Sequence, residues 1–148
     1  EIRQFYALDD CGTRINPMVI EGQVHGGLTE ALAIAMGQEI AYDAMGNVKT
    51  GTLMDFFLPT AWETPNYTTD HTTTPSPHHP IGAKGVGELP SIPVSAAITN
   101  AIQRATGIRV RSLPVDQDEI YIATACCFES SGDIGGRGQA GLRRNSTP

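Results

Sequence analysis

The chain has 148 residues, is 40% hydrophobic and carries a formal net charge of −6. That is one domain's worth of sequence with enough apolar material for a core, and the charge has the wrong sign for nucleic acid as a main partner. No apolar run is long enough for a membrane-spanning helix, no signal peptide is visible, and three cysteines, two of them adjacent at Cys126 and Cys127, make no disulfide framework, so the expected setting is a reducing cytoplasm.

In chain order, residues 2–8 mix β-formers with polar residues and predict a strand, followed by a turn-rich connection over 9–17. From 18 to 39 the apolar positions Ile20, Val24, Leu28, Leu32, Ala35 and Met36 fall at the spacing of one helical face. Gly22, Gly26 and Gly27 interrupt its first half. Each costs a helix up to about 1 kcal/mol relative to alanine, so either another backbone packs into a Gly22–Gly26 notch or a bound group approaches there. Residues 39–50 predict a β-hairpin turning at Gly46, and 52–58 a further strand. Residues 59–65 connect to a threonine-rich extended stretch over 67–74.

A second helix is predicted over 91–105, with Ser91 as N-cap, Pro93 in the first turn, an apolar stripe of Val94, Ala97, Ile98, Ala101, Ile102 and Ala105, and Gly107 as its stop. Residues 108–113 alternate apolar residues with Arg109 and Arg111, which predicts a half-exposed strand, and Asp116 with Glu119 resembles a capping pair for a short last helix. Beyond about Ala123 periodicity fails, and 132–148 is rich in Gly, Arg, Ser and Asn. The expected architecture is α+β, two principal helices on mixed sheet segments, with a domain over 1–123 and a disordered tail over 124–148.

The densest chemistry lies in Pro75-Ser-Pro-His-His-Pro-Ile-Gly-Ala-Lys-Gly-Val-Gly-Glu88. Prolines fix φ, and glycines admit positive φ or close backbone approach. Gly85 and Gly87 flank Val86, so the backbone N–H groups before Glu88 can face a bound group without a Cβ in the way. A plain Pro/Gly surface loop is the competing reading. His25, His71, His78 and His79 match no standard zinc spacing, and Gly82-Ala-Lys84 lacks the frame of a P-loop.

Lys84-Gly85-Val86-Gly87-Glu88 resembles the Lys-Gly-x-Gly-Glu signature of the molybdenum hydroxylases, the xanthine and aldehyde oxidoreductase family that includes the aerobic carbon monoxide dehydrogenases. Asp10-Cys11-Gly12-Thr-Arg-Ile-Asn16-Pro17 resembles that family's Asp-Cys-Gly-x-x-x-Asn-Pro cofactor segment. It runs into Glu21-Gly22-Gln23-Val24-His25-Gly26-Gly27, which is similar to the family's Glu-Gly-Gln-x-x-Gly-Gly helix start. Order and separation agree over roughly residues 1–121, with the carbon monoxide dehydrogenase-like branch the nearest in flavour.

The resemblance implies a C-terminal part of a molybdenum-binding large subunit, as a fragment or one piece of a split subunit. It implies molybdopterin carrying molybdenum, in bacteria often as the cytosine dinucleotide, with iron–sulfur and FAD partner subunits and the remainder of the large subunit as neighbours. The implied reaction oxidises a small substrate (carbon monoxide, an aldehyde or an N-heterocycle) with water as oxygen source. Glu88 matches the family's catalytic glutamate and would act as the base near molybdenum. Gly85, Val86 and Gly87 would line the cofactor. Lys84 would neutralise its charge or be a solvated surface lysine. Cys11, Gly12 and Asn16 correspond to the pterin-nucleotide segment, with a small core residue the other reading of Cys11. Gln23 would donate to a cofactor oxygen or be a surface amide. No protein side chain is expected to ligate the metal. A non-catalytic, truncated domain serving only in assembly is the alternative function.

Overall fold

The computed structural model describes residues 2–131, with side chains described to residue 125. It separates into two units, residues 1–116 and 117–148. The first holds a parallel strand pair and two helices; the second begins with a third helix.

Strand β1 (Gln4–Asp9) pairs in parallel with β2 (Asn66–His71), in register from Gln4↔Asn66 to Asp9↔His71. Strands of like direction cannot be joined by a tight turn and need a long crossover. Helix α1 (Pro17–Met36) supplies the first part of it. Alternation divides β1 cleanly: Phe5, Ala7 and Asp9 are partly buried, whereas Gln4, Tyr6 and Leu8 face solvent. Phe5 meets Tyr67 of β2 edge-to-face, with ring centroids 6.4 Å apart.

Helix α1 starts where local chemistry permits it. Asn16 is extended, its Oδ1 accepts from the Val19 N–H at 3.3 Å, and Pro17 takes the first turn, where a missing N–H costs nothing. The helix stops at Gly37, with the Ala33 carbonyl accepting from the N–H groups of Gly37 and Gln38. Its Val24, Leu28, Ala31, Leu32 and Ala35 form the core with Val94 and Ile98 of α2 (Val94–Thr106). Phe5, Ala7, Tyr67 and Val86 pack against the edge of this cluster. Each buried Leu, Ile or Val side chain contributes about 1.5–3 kcal/mol. A short 3-10 turn, Leu89–Ser91, seats Pro90 on α1 at Gly27, where an added Cβ would lie 3.1 Å from the proline ring. Helix α2 ends at Gly107, at φ 78°, as its sequence predicts.

The α+β class holds, with several expected elements altered. The first helix ends at Met36 rather than 39. The second is broken into the 3-10 turn and α2: Ser91 does not cap it but donates its hydroxyl to the Glu88 carbonyl at 2.7 Å, and Pro93 occupies the cap position without a side-chain bond. The hairpin over 39–50 shrinks to a single antiparallel bridge, Tyr42↔Val48, with Gly46 turning at φ 85°. There Asp43 takes the N–H groups of Met45 and Asn47, each at 2.8 Å, in place of a ladder. Residues 52–58 form turns held by Thr52, whose carbonyl accepts from Asp55 and Phe56, and 108–113 is not a strand. The expected mixed sheet is one parallel pair among the described residues. An alternating pattern needs a neighbouring strand to become a sheet, and these segments have none.

Helix α3 (Gln117–Ser131) opens with Asp118 and Glu119, favourable charges at a helix N-terminus, and continues past residue 123, where apolar periodicity ends. The remainder of the expected tail, 132–148, lies outside the described residues.

Gly22 and Gly26 face open space: an added Cβ would meet nothing within 4 Å at either. Both lie in the helix interior without positive φ. Replacing each by alanine is therefore expected to stabilise this chain by about 0.5–1 kcal/mol, read as a higher urea midpoint with unchanged slope. A loss of stability would show that the α1 backbone there differs from a regular helix.

Candidate functional site

The two motif-bearing segments cross each other. Gly12 and Ala83 form an antiparallel bridge, the Lys84 N–H donates to the Cys11 carbonyl at 2.8 Å, and the Thr13 N–H donates to the Gly82 carbonyl at 3.2 Å. The crossing is possible only because both strands carry glycine at positive φ, Gly12 at 66° and Gly82 at 72°. A Cβ on Gly12 would stand 2.2 Å from the Gly82 carbonyl oxygen, and one on Gly82 would stand 2.7 Å from the Pro75 Cβ.

Asp10 ties the crossing electrostatically. Its Oδ1 accepts from the Gly12 N–H at 2.9 Å and the Thr74 N–H at 3.1 Å, and the Lys84 Nζ lies 2.9 Å away. The Thr74 side chain, then Lys84, then the two backbone donors hold its carboxyl well below the usual carboxylate range. Lys84 is thus anchored at both ends, its backbone on Cys11 and its ammonium on Asp10.

At the carboxyl ends of both parallel strands lies a cavity of about 260 Å³. Cys11, itself buried, lines it together with Asp9, Arg14, Glu21, Asp70 and His71. The carboxyl ends of parallel strands are where open α/β sheets commonly hold ligands. Two polar atoms of residues lining it, Asp9 Oδ2 and Arg14 Nε, are buried without hydrogen-bond partners. Burial pushes the Asp9 carboxyl up. Arg14 donates from Nη1 to His71 Nδ1 at 3.1 Å, which makes that ring nitrogen the acceptor. Gln23 and residues 84–88 do not line this cavity.

The signature loop has an anchored middle and an open surface. Val86 is partly buried against the core, while Gly85 and Gly87 are exposed and an added Cβ at either would meet nothing within 4 Å. Glu88 leads into the 3-10 turn, its carbonyl accepting from the N–H and hydroxyl of Ser91, and its side chain is exposed. Two residues on, Pro90 packs at Gly27 of α1. Gln23 is exposed and lies one helical turn before Gly27 on the same face. Residues 11–13 therefore meet 82–84 directly, and the middle of α1 meets the 3-10 turn that follows the loop through Gly27 and Pro90.

Asn16 is committed to capping α1. The His25 ring packs at a tilt against Tyr67, with centroids 5.6 Å apart and an interplanar angle of 41°, and no group of three or more His, Cys, Asp or Glu side chains suited to a metal ion occurs among the described residues. Asp9, Arg14, Glu21 and His71 received no role from the sequence. The available signal was the Asp10-x-Gly12 step at the end of a strand, an Asx-turn pattern that fixes the backbone on which Cys11 and Arg14 are carried.

Residues 1–65 match the family model of the molybdopterin cofactor-binding domain. Over 103 residues the chain is 70% identical to the carbon monoxide dehydrogenase large chain of Afipia carboxidovorans, covering 70% of this chain and 13% of that protein. It is 68% identical over 105 residues to the corresponding chain of Hydrogenophaga pseudoflava, covering 68% and 13%. A crystal structure of the Cu,Mo-CO dehydrogenase in its carbon monoxide reduced state superposes with a TM-score of 0.72 at 58% identity, over 84% of this chain and 16% of that one. The fold is thus that of a molybdopterin-binding domain fragment. The chain belongs to the xanthine and aldehyde oxidoreductase family, in its carbon monoxide dehydrogenase-like branch, and spans 13% of the length of the large chains it matches.

Two outcomes follow. Gly12→Ala forces a positive φ on an L side chain and drives its Cβ into a backbone carbonyl, so a loss of about 1–3 kcal/mol is expected, measured by urea unfolding; stability within 0.5 kcal/mol of the parent would refute the crossing geometry. Asp10 has a native pKa below its unfolded value, so its contribution to stability is complete above the ordinary carboxylate pKa of about 3.9 and fades as pH falls through the lower native value. Asp10→Asn is therefore expected to lower the urea midpoint at neutral pH, with the difference shrinking at about pH 2.5; a difference that does not vary with pH would contradict this origin.

Proposed function

We propose that this chain is a C-terminal part of the molybdenum-binding large chain of a molybdopterin-dependent oxidoreductase. On this reading the substrate is small, carbon monoxide first among the candidates because the relatives at 70% and 68% identity carry that name, with aldehydes or N-heterocycles the remaining classes. Iron–sulfur and FAD subunits would carry electrons away.

The observation that supports this most directly is the crossing itself. It brings Cys11 and Gly12 against Ala83 and Lys84, two segments far apart in sequence. Such a junction is needed if both are to meet one bound group. The open surface at Gly85 and Gly87 and the orphaned buried atoms of Asp9 and Arg14 fit a large polar cofactor. Molybdopterin, in the cytosine dinucleotide form, would be held by Cys11, Gly12, Gln23 and the backbone of 85–87. When bound, it supplies the redox-active molybdenum at which water becomes the oxygen source. Lys84 then acts through position, its ammonium fixed on Asp10 and its backbone on Cys11. Val86, anchored on the core, holds the loop out. Glu88 accepts a proton at its carboxylate, on a backbone fixed by Ser91.

The test is Glu88→Gln in the complete enzyme. The amide keeps the shape of the side chain but cannot accept the proton, so kcat is expected to fall by about 10² to 10⁴ with molybdenum content unchanged. Wild-type kcat at full molybdenum would remove Glu88 from the role of base, and a proportional loss of molybdenum would make it a structural residue.

A further inference from the structure

The β1–β2 pair is covered on one side only. Phe5, Ala7 and Tyr67 turn inward to the core. On the other side Tyr6 is 74% exposed and Leu8 66% exposed, adjacent on one face and opposite Thr68 and Asp70. The Gln4 side chain reaches across to the Thr68 hydroxyl at 2.7 Å, so this outer face is ordered as a surface. Parallel sheets are almost always covered on both faces, because the crossover connections that join their strands lay helices over them. A pair of strands is also too small to be a finished sheet. Among the described residues no further strand joins either one, so each presents an outer edge of backbone donors and acceptors.

We propose that this outer face, centred on Tyr6 and Leu8, is the docking surface for the portion of the large chain beyond these 148 residues, which covers the face and extends the sheet. The inference rests on the reading above that the chain works as part of a longer large chain. Length supports that occupant: the matched large chains are covered to only 13% by this one, so most of the polypeptide that could cover the face lies outside it. So does chemistry. The face is apolar at its centre and carries one carboxylate, Asp70, at its margin, which suits a buried contact within a chain better than an ionic one between soluble partners.

The experiment places a photo-crosslinking phenylalanine analogue at Tyr6, and separately at Leu8, in the complete enzyme with its partner subunits. Both positions are exposed in this chain, so the probe itself leaves the core intact. The expected product is a large chain of unchanged mass whose crosslinked peptide pairs β1 with a segment outside these 148 residues. Backbone amides of residues 4–9 should also exchange at least about tenfold more slowly in the complete enzyme than in this chain alone. Crosslinks that double the large-chain mass would assign the face to a second copy. Crosslinks to another subunit, or a probe that reacts only with solvent, would equally overturn the proposal. These results are independent of Glu88: wild-type turnover in Glu88→Gln would sink the catalytic reading and leave the docking surface standing, whereas a solvent-facing Tyr6 would do the reverse.

Discussion

The candidate site hangs on two backbones passing within hydrogen-bond distance at a point where neither can carry a Cβ. The Gly12–Gly82 contact is a steric constraint before it is an interaction. Once it is met, the Cys11 carbonyl, the Lys84 N–H and the Asp10–Lys84 ion pair close around it. That clasp fixes the start of the signature loop, Val86 pins its middle to the core, and the 3-10 turn seated on Gly27 fixes its end. The loop is thus held at three places while Gly85, Gly87 and the Glu88 side chain stay exposed. Preorganisation of this kind lets a polar group act without a reorganisation cost at the moment it is used.

The electrostatics around the clasp are divided between neighbours. Asp10, rich in donors, stays ionised; Asp9, one residue earlier and facing the opposite side of the strand end, is buried without a donor on one oxygen and resists ionisation. Adjacent carboxylates with opposite shifts reflect their surroundings: Asp9, the last residue of β1, lines the cavity, while Asp10, just beyond the strand, turns back onto the Gly12 N–H and Lys84.

The helices were legible in the sequence because their signals are local. An apolar stripe in each, with Gly107 at one end, is enough to fix α1 and α2 within a few residues. Strands were less legible, since 52–58 and 108–113 have strand-like composition and no partner, whereas β1 found one far along the chain. Motif resemblance located residues 10–16 and 84–88, and the hydrogen bond from the Lys84 N–H to the Cys11 carbonyl joins them. It did not reveal the Arg14–His71 contact or the orphaned atoms of the cavity, because these depend on which strand β1 chooses, and no local pattern encodes that choice.

That choice also shapes how the chain reaches its structure. Gln4 and Thr68, bonded side chain to side chain, are 64 residues apart in sequence. Pairing them closes a long loop, with an entropic cost that must be met before the ladder returns any stability. The hydrogen bonds of α1 and α2 close over four residues and need no such closure. The clasp, which also joins distant segments, is subject to the same delay. Helices can therefore assemble early on a nascent chain, while the clasp geometry waits for the strands to meet, so a slow-folding or heat-stressed chain would lose the clasp while still showing most of its helical signal.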